Sequence, residues 1–275
     1  MFHSSLQVLV LRFLFFKIQL IMKQLGLLGY PLGHSFSKKY FNQKFDNQGI
    51  SDEWHYELFS IDSIQKLPEI LRGYENRLVG LNVTIPYKTA ILPFLDALAP
   101  ETSDVGAVNC IKISWNHPDK KPHLTGYNTD VVGFEKSLLT LLGGSVPEGL
   151  NALILGTGGA GKAVAFTFKK LNIPFKYVSR TRAEGVLSYE DLDKNTMKAH
   201  RLIVNSTPLG TSPNTEGCPN IPFQYIDNQH FILDLIYNPE ITKLMRLAEE
   251  RGAKVQNGME MLIGQAEEGW RIWNV

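Results

Sequence analysis

Apolar residues fall along the chain in two alternating patterns. Short blocks of strand type occupy residues 23–29, 54–59, 78–84, 105–114, 152–155, 173–178, 201–205 and 231–235. Between them, apolar positions recur at helical spacing: Tyr40, Phe41 and Phe45; residues 63–74; Val131, Phe134, Leu138 and Leu141; residues 163–171; and residues 240–251. A last helix after Gly258 carries a stripe of Met259, Leu262, Ile263, Ala266 and Trp270. Strands alternating with helices predict an α/β protein. Gln265 lies off the last stripe, which predicts that it faces solvent or a ligand.

The punctuation between elements narrows the picture. The block 152–155 runs into Gly156, Gly158 and Gly161, and then into a helix beginning near Ala163. In G-x-G-x-x-G the first glycine permits a tight turn, the second lets a pyrophosphate approach the backbone, and the third lets the helix pack on its strand. Gly159 and Ala160 lie between them, where the N–H groups of a helix start face an anion. The strand before and the helix after turn a weak motif into a dinucleotide site. An NAD site wants an acidic residue about 20 residues past the glycines. This chain has Ser179, Arg180, Thr181 and Arg182 there, and two guanidinium groups with two hydroxyls suit a 2′-phosphate. The cofactor expected is therefore NADP. The loop opened by Ser206, Thr207 and Pro208 follows another strand, and such loops line the ligand crevice.

Several polar residues before the glycine loop have two readings each. Ser35 and Ser37 stand near a helix start, where serine caps free N–H groups or helps bind a carboxylate. Lys88 follows Pro86 into a helix. Its charge there opposes the positive end of the helix dipole, so it is either a solvated surface lysine or one able to give and take a proton. Asp130 opens another helix, as an N-cap or as the partner of a catalytic group.

Length and composition add bounds. The chain has 275 residues, 44% hydrophobic and 20% charged, which suggests about two domains. A net charge of +1 gives no reason to expect nucleic acid. Cys110 and Cys218 are the two cysteines; they make no metal-ligand spacing, and no metal is expected. So few cysteines suit a reducing cytoplasm. Residues 1–21 are apolar but interrupted by Arg12 and Lys17. They give neither a membrane helix nor a signal peptide, and the expectation is an upstream extension with the physiological start at Met22.

Five stretches together carry a family resemblance: Gly33-His34-Ser35-Phe36-Ser37, Asn82-Val83-Thr84-Ile85-Pro86-Tyr87-Lys88, Gly106-Ala107-Val108-Asn109, Asn128-Thr129-Asp130, and Asn257-Gly258 leading to Gln265. From about Lys23 to Trp273 the chain resembles shikimate dehydrogenases, NADP-dependent enzymes of aromatic amino-acid biosynthesis. The resemblance implies an α/β substrate domain (22–129 with 258–275) and a Rossmann-type NADP domain (130–257), the last helix returning to the first. It implies reduction of 3-dehydroshikimate to shikimate in a cleft between the domains, by a monomer or homodimer acting on a small molecule, without nucleic acid or membrane. Carried over by motif, Lys88 and Asp130 are the catalytic pair. Ser35 and Ser37 bind the substrate carboxylate, and Asn82, Thr84, Asn109, Tyr237 and Gln265 bind hydroxyls or the carbonyl region. Gly258 belongs with the cofactor residues. The resemblance departs in two places. The segment 181–200 is short, which predicts a missing strand or helix. Glu260 stands where a small residue is usual.

Overall fold

The computed structural model describes residues 22–33, 35–115 and 121–274. The readings made for residues 1–21 and for His34 lie outside the described residues. The chain divides into two compact units, one of residues up to 102, 108–127 and from 272 onward, the other of 103–107 and 128–271.

The first unit is built on a six-stranded mixed sheet. Its elements are β1 (Lys23–Gly29), α1 (Phe36–Gln48), β2 (Trp54–Ser60), α2 (Leu67–Gly73), β3 (Leu78–Val83), the single turn α3 (Tyr87–Ala90), β4 (Ala97–Leu98), α4 (Pro100–Val105), β5 (Cys110–Ser114) and β6 (His123–Tyr127). The strand order is β2-β1-β3-β5-β6-β4. β1 runs parallel to β2 and β3, whereas β5 is antiparallel to both β3 and β6. The sequence reading missed β4 and β6. β6 reads His-Leu-Thr-Gly-Tyr, with little apolar signal, and it is held by its ladder to β5. One cluster packs Leu28, Phe59, Leu81, Val83, Ile91 and Ile111 together. Elsewhere in the unit Phe41 stacks on Tyr56, with centroids 4.8 Å apart, and tilts against Trp273 at 5.6 Å.

The second unit holds α5 (Thr129–Leu141), β7 (Ala152–Leu155), α6 (Gly159–Lys170), β8 (Phe175–Val178), β9 (Val186–Leu187), α7 (Lys194–Ala199), β10 (Leu202–Asn205), β11 (Phe231–Asp234), α8 (Lys243–Glu249), β12 (Lys254–Gln256) and most of α9 (Met259–Trp273). All of its strand pairs are parallel. Read from β9 to β12, the order is β9-β8-β7-β10-β11-β12, which is the doubly wound order 3-2-1-4-5-6. Its central strands β7 and β10 are buried on both faces. β7 sends Ala152 and Ile154 into one cluster and Leu153 and Leu155 into another, as alternation along a strand requires. The expected loss of an element between 181 and 200 does not occur. β9 shrinks to two residues and α7 to six, but the order stays complete.

The contacts also place the last helix differently from the sequence reading. α9 groups with the second unit through Arg271, and only Ile272 onward groups with the first. The cause is a close backbone approach. A Cβ at Gly133 of α5 would stand 2.4 Å from the Met261 carbonyl oxygen, and one at Gly264 would stand 3.0 Å from the Gly133 Cα. The buried face therefore centres on Met261, Gln265 and Ala266, while Ile263 is exposed. Trp273 belongs to the first unit, and its Nε1 donates to the Ile111 carbonyl at 2.9 Å.

Candidate active site

In the first unit, a buried chain of polar side chains runs beneath the end of β3. Tyr56 on β2 is fully buried, and its hydroxyl donates to Asn82 Oδ1 at 2.7 Å. Ser37, in the first turn of α1 and also buried, hydrogen-bonds the same tyrosine. Burial lifts the Tyr56 hydroxyl well above the usual tyrosine value, against the pull of Ser37, so the group stays protonated and keeps donating. Asn82 Nδ2 donates to the Asn109 carbonyl at 3.4 Å, and Val83 N donates to that carbonyl at 2.8 Å. The Val108 N–H donates to the Lys88 carbonyl at 2.7 Å. Four of the expected site residues, Ser37, Asn82, Asn109 and Lys88, thus meet in one backbone-braced patch. Thr84, just past β3, donates its N–H to the Leu28 carbonyl of β1 at 2.9 Å.

Two local readings need adjustment here. Ser35 is an N-cap: its Oγ accepts from Lys38 N at 3.3 Å. Capping satisfies a free N–H and uses only an oxygen lone pair, so the hydroxyl hydrogen can be donated to a carboxylate. Lys88 lies in a helix of one turn, capped by Pro86. So short a helix sums few peptide dipoles, and the dipole expected to oppose the lysine's charge is small.

In the second unit, Asp130 is buried in the first turn of α5, but it is not the N-cap. Asn128 is; its Oδ1 accepts from Val131 N at 3.3 Å and its Nδ2 donates to the Ala107 carbonyl at 2.8 Å. Asp130 sits two residues inside, where a carboxylate still gains from the helix N-terminus. Gln265 is 9% exposed, so of its two readings the solvent-facing one is excluded. Its Oε1 accepts from Thr129 Oγ1 at 3.4 Å, which sets it beside the turn that carries Asp130.

The glycine loop behaves as the motif demands. Gly156 has φ +102, a region L-residues rarely enter. A Cβ at Gly161 would meet the Gly156 carbonyl oxygen at 2.7 Å, so the third glycine permits the helix to close on the turn. A Cβ at Gly158 meets nothing within 4 Å. It would enter open space before the first turn of α6, the place a pyrophosphate takes in such folds. Gly159 and Ala160 open that helix. The residues present fit a dinucleotide. Ser206, after β10, closes the other side of the crevice: its Oγ donates to the Leu155 carbonyl at 2.8 Å and reaches the Gly156 carbonyl at 3.2 Å. At the end of β8, Ser179 Oγ accepts from Thr181 N at 3.2 Å, and Arg180, Thr181 and Arg182 are exposed. Arg182 pairs with Glu190 at 3.1 Å.

The sequence reading missed the polar core behind this crevice. Asn205, Asp234 and Thr242 are almost wholly buried. Asn205 Oδ1 accepts from Thr207 N at 3.0 Å and from Thr207 Oγ1 at 2.7 Å, and its Nδ2 donates to Asp234 Oδ1 at 2.9 Å. Thr242 Oγ1 donates to Asp234 Oδ2 at 2.7 Å, and Ile236 N donates to Oδ1 at 3.1 Å. Burial pushes the Asp234 carboxyl up to about 6, with these hydrogen bonds pulling the other way. Polar residues at two strand ends were the available signal. Three residues on from Asp234 stands half-buried Tyr237, its hydroxyl also raised by burial. Gly258 has a packing reason: its Cβ would lie 2.1 Å from the Leu235 carbonyl oxygen, and its N–H donates to the Ile236 carbonyl at 2.9 Å.

Residues 27–111 match the model of the shikimate dehydrogenase substrate binding domain. An NADP(+) shikimate dehydrogenase of Desulforamulus reducens is 35% identical over 266 residues, covering 90% of this chain and 88% of its own length. The chain belongs to the shikimate dehydrogenase family. It is therefore an enzyme, an oxidoreductase, and its two α/β units with one doubly wound sheet are the family's fold. The Thermus thermophilus enzyme solved with NADP(H) and shikimate is 30% identical, with a TM-score of 0.77 and coverage of 92% of this chain and 93% of that one. A quinate dehydrogenase of Corynebacterium glutamicum solved with NAD is 25% identical, with a TM-score of 0.78 and the same coverages. These two similar proteins were solved with different cofactors.

Glu260 is held through both carboxylate oxygens. Its Oε1 accepts from Thr140 Oγ1 at 2.9 Å, and its Oε2 accepts from Gln256 Nε2 at 3.0 Å. Gln256 Nε2 donates as well to Ser137 Oγ at 2.7 Å. Glu260 pins the start of α9 to α5 and β12. Among the described residues no helix is long and apolar enough to cross a membrane.

Proposed function

We propose that the chain catalyses the reversible, NADPH-dependent reduction of 3-dehydroshikimate to shikimate. The observation that carries this reading is the crevice of the second unit. The order 3-2-1-4-5-6 is complete, the space before α6 is open at Gly158, and the strand that follows ends in Arg180 and Arg182 without an acidic residue. Arginine suits a 2′-phosphate where an acid would suit a free ribose hydroxyl.

NADPH, when bound, supplies the hydride that reduces the C3 carbonyl. The protein's own groups do the rest. Gly156, Gly158, Gly159, Ala160 and Gly161 hold the pyrophosphate, Ser179, Arg180, Thr181 and Arg182 the 2′-phosphate, and Thr207, Pro208 and Gly258 the nicotinamide end. Ser35 and Ser37 receive the substrate carboxylate. Asn82, Thr84, Asn109, Tyr237 and Gln265 fix its hydroxyls, since correct orientation is worth several kcal/mol of the barrier. Lys88 gives the proton that the developing alkoxide takes up at the C3 oxygen, and its charge stabilises that oxygen. Asp130 is the second member of the assigned catalytic pair.

Steady-state rates with NADP and NAD, each with shikimate and quinate, test the reading. The highest kcat/KM is expected for NADP with shikimate. Comparable use of NAD would refute the cofactor assignment, and preference for quinate the substrate assignment.

A further inference from the structure

We propose that Asp234 is a positioning residue for the nicotinamide end of the cofactor, holding the loop that carries Thr207 and the turn that carries Tyr237 to one buried carboxylate. This rests on the NADP reading above.

Asp234 ends β11 and Asn205 ends β10. Both strands lie on the same side of the switch point between β7 and β10, where a doubly wound sheet binds its ligand. An ionised carboxylate only accepts hydrogen bonds. It therefore turns the Asn205 NH2 toward itself at 2.9 Å and leaves Asn205 Oδ1 facing Thr207, which donates to it twice, at 3.0 and 2.7 Å. Thr207 Oγ1 in turn accepts from Leu209 N at 3.3 Å. The carboxylate thereby fixes the course of the loop through an amide it orients. The same Oδ1 accepts from Ile236 N at 3.1 Å, and this fixes the turn before Tyr237. Thr242 secures the other oxygen at 2.7 Å while capping α8 through Met245 N at 3.3 Å. A buried carboxylate is expensive and by itself weak evidence for stability. Here each of its bonds leads to a segment at the mouth of the crevice or to the helix behind it.

Asp234→Asn leaves one acceptor oxygen for three donors, Asn205 Nδ2 and Ile236 N at the Oδ1 place and the Thr242 hydroxyl at the Oδ2 place. With its NH2 at the Oδ1 place, Asn205 reverses its amide and turns its own NH2 toward the two donors of Thr207. The adenosine end, held at Ser179–Arg182 after β8, is untouched. The test compares two ligands by titration on the whole chain: NADPH, and adenosine 2′,5′-bisphosphate, which lacks the nicotinamide. Asp234→Asn is expected to weaken NADPH about tenfold or more and the bisphosphate by less than about twofold. The double variant Asn205→Asp with Asp234→Asn restores an acceptor toward Thr207 and a donor–acceptor pair between the two residues. It is expected to recover about half or more of the lost affinity on a logarithmic scale. Thr242→Val, which removes one of the bonds to the carboxylate and the cap of α8, gives the same split with a smaller change and serves if Asp234→Asn does not fold. Equal losses for both ligands, or no loss for either, in whichever variant folds would overturn the proposal. Wild-type protein that binds neither ligand would overturn the NADP reading itself, and this inference with it.

Discussion

The Tyr56 hydroxyl donates to Asn82 Oδ1 at 2.7 Å in the buried floor of the first unit. The tyrosine orients the amide, and the amide braces Asn109 through its carbonyl at 3.4 Å. Tyr56→Phe takes away the donor and leaves a buried acceptor short of a partner. The expected stability loss is about 1–2 kcal/mol. The KM for shikimate should rise severalfold, since Asn82 loses its orientation, while NADP binding is unchanged. Denaturant unfolding and steady-state kinetics check both; an unchanged substrate KM would remove Tyr56 from the support of the site.

Gly158 offers a separation of fold from function. Its φ is −75, and a Cβ there meets no atom within 4 Å. Gly158→Ala should therefore cost less than about 1 kcal/mol of stability. The new methyl occupies the space assigned to the pyrophosphate, so NADP affinity should fall by about tenfold or more. Calorimetric titration beside thermal unfolding reads the two effects separately. Full affinity in the variant would mean that the phosphates lie elsewhere.

The glycine loop, the basic run at 179–182 and the motif around Lys88 are legible because each is a local pattern with a local physical cause. The sites missed are those made by tertiary contact. Asn205 and Asp234 are 29 residues apart and meet only across adjacent strands. Gln265 reads as facing solvent or a ligand, and its burial follows from the close approach of two helices at Gly133 and Gly264. β6 is weak in sequence and exists through its partner β5. Asp130 was a reasonable cap by residue type, but Asn128, two residues earlier, has the extended backbone that a cap requires.

Asp234 gives a signed pH dependence. Its carboxyl is raised from 3.8 to about 6 by burial, so between those values the folded state holds a proton that the unfolded state has released. Stability from this group is present below pH 3.8 and is lost as pH rises through 6, by an amount on the order of 3 kcal/mol. Cys218, near it, is pushed up to about 11 by burial and stays neutral throughout. Asp62, Asp191, Asp193 and Asp227 are lowered by their hydrogen bonds and slope the opposite way. The difference between wild type and Asp234→Asn isolates the buried group. Wild-type stability should fall relative to the variant from pH 4 to pH 6; parallel curves would show that Asp234 titrates normally.

Glu260 accepts from Thr140 and from Gln256. Glu260→Ala should lower stability by about 1 kcal/mol and leave kcat and both KM values unchanged. Thermal unfolding and kinetics check this. A loss of turnover at unchanged stability would mean that the start of α9 acts in the reaction.

The most direct measurement of the central claim is NADPH formation after shikimate is added to the purified chain with NADP, run beside Lys88→Ala with substrate binding followed in parallel. Wild type is expected to form NADPH, and Lys88→Ala to slow it by about 100-fold or more while still binding shikimate. No NADPH from wild type would contradict the assigned reaction, and near-normal turnover in the variant would contradict the role of the lysine.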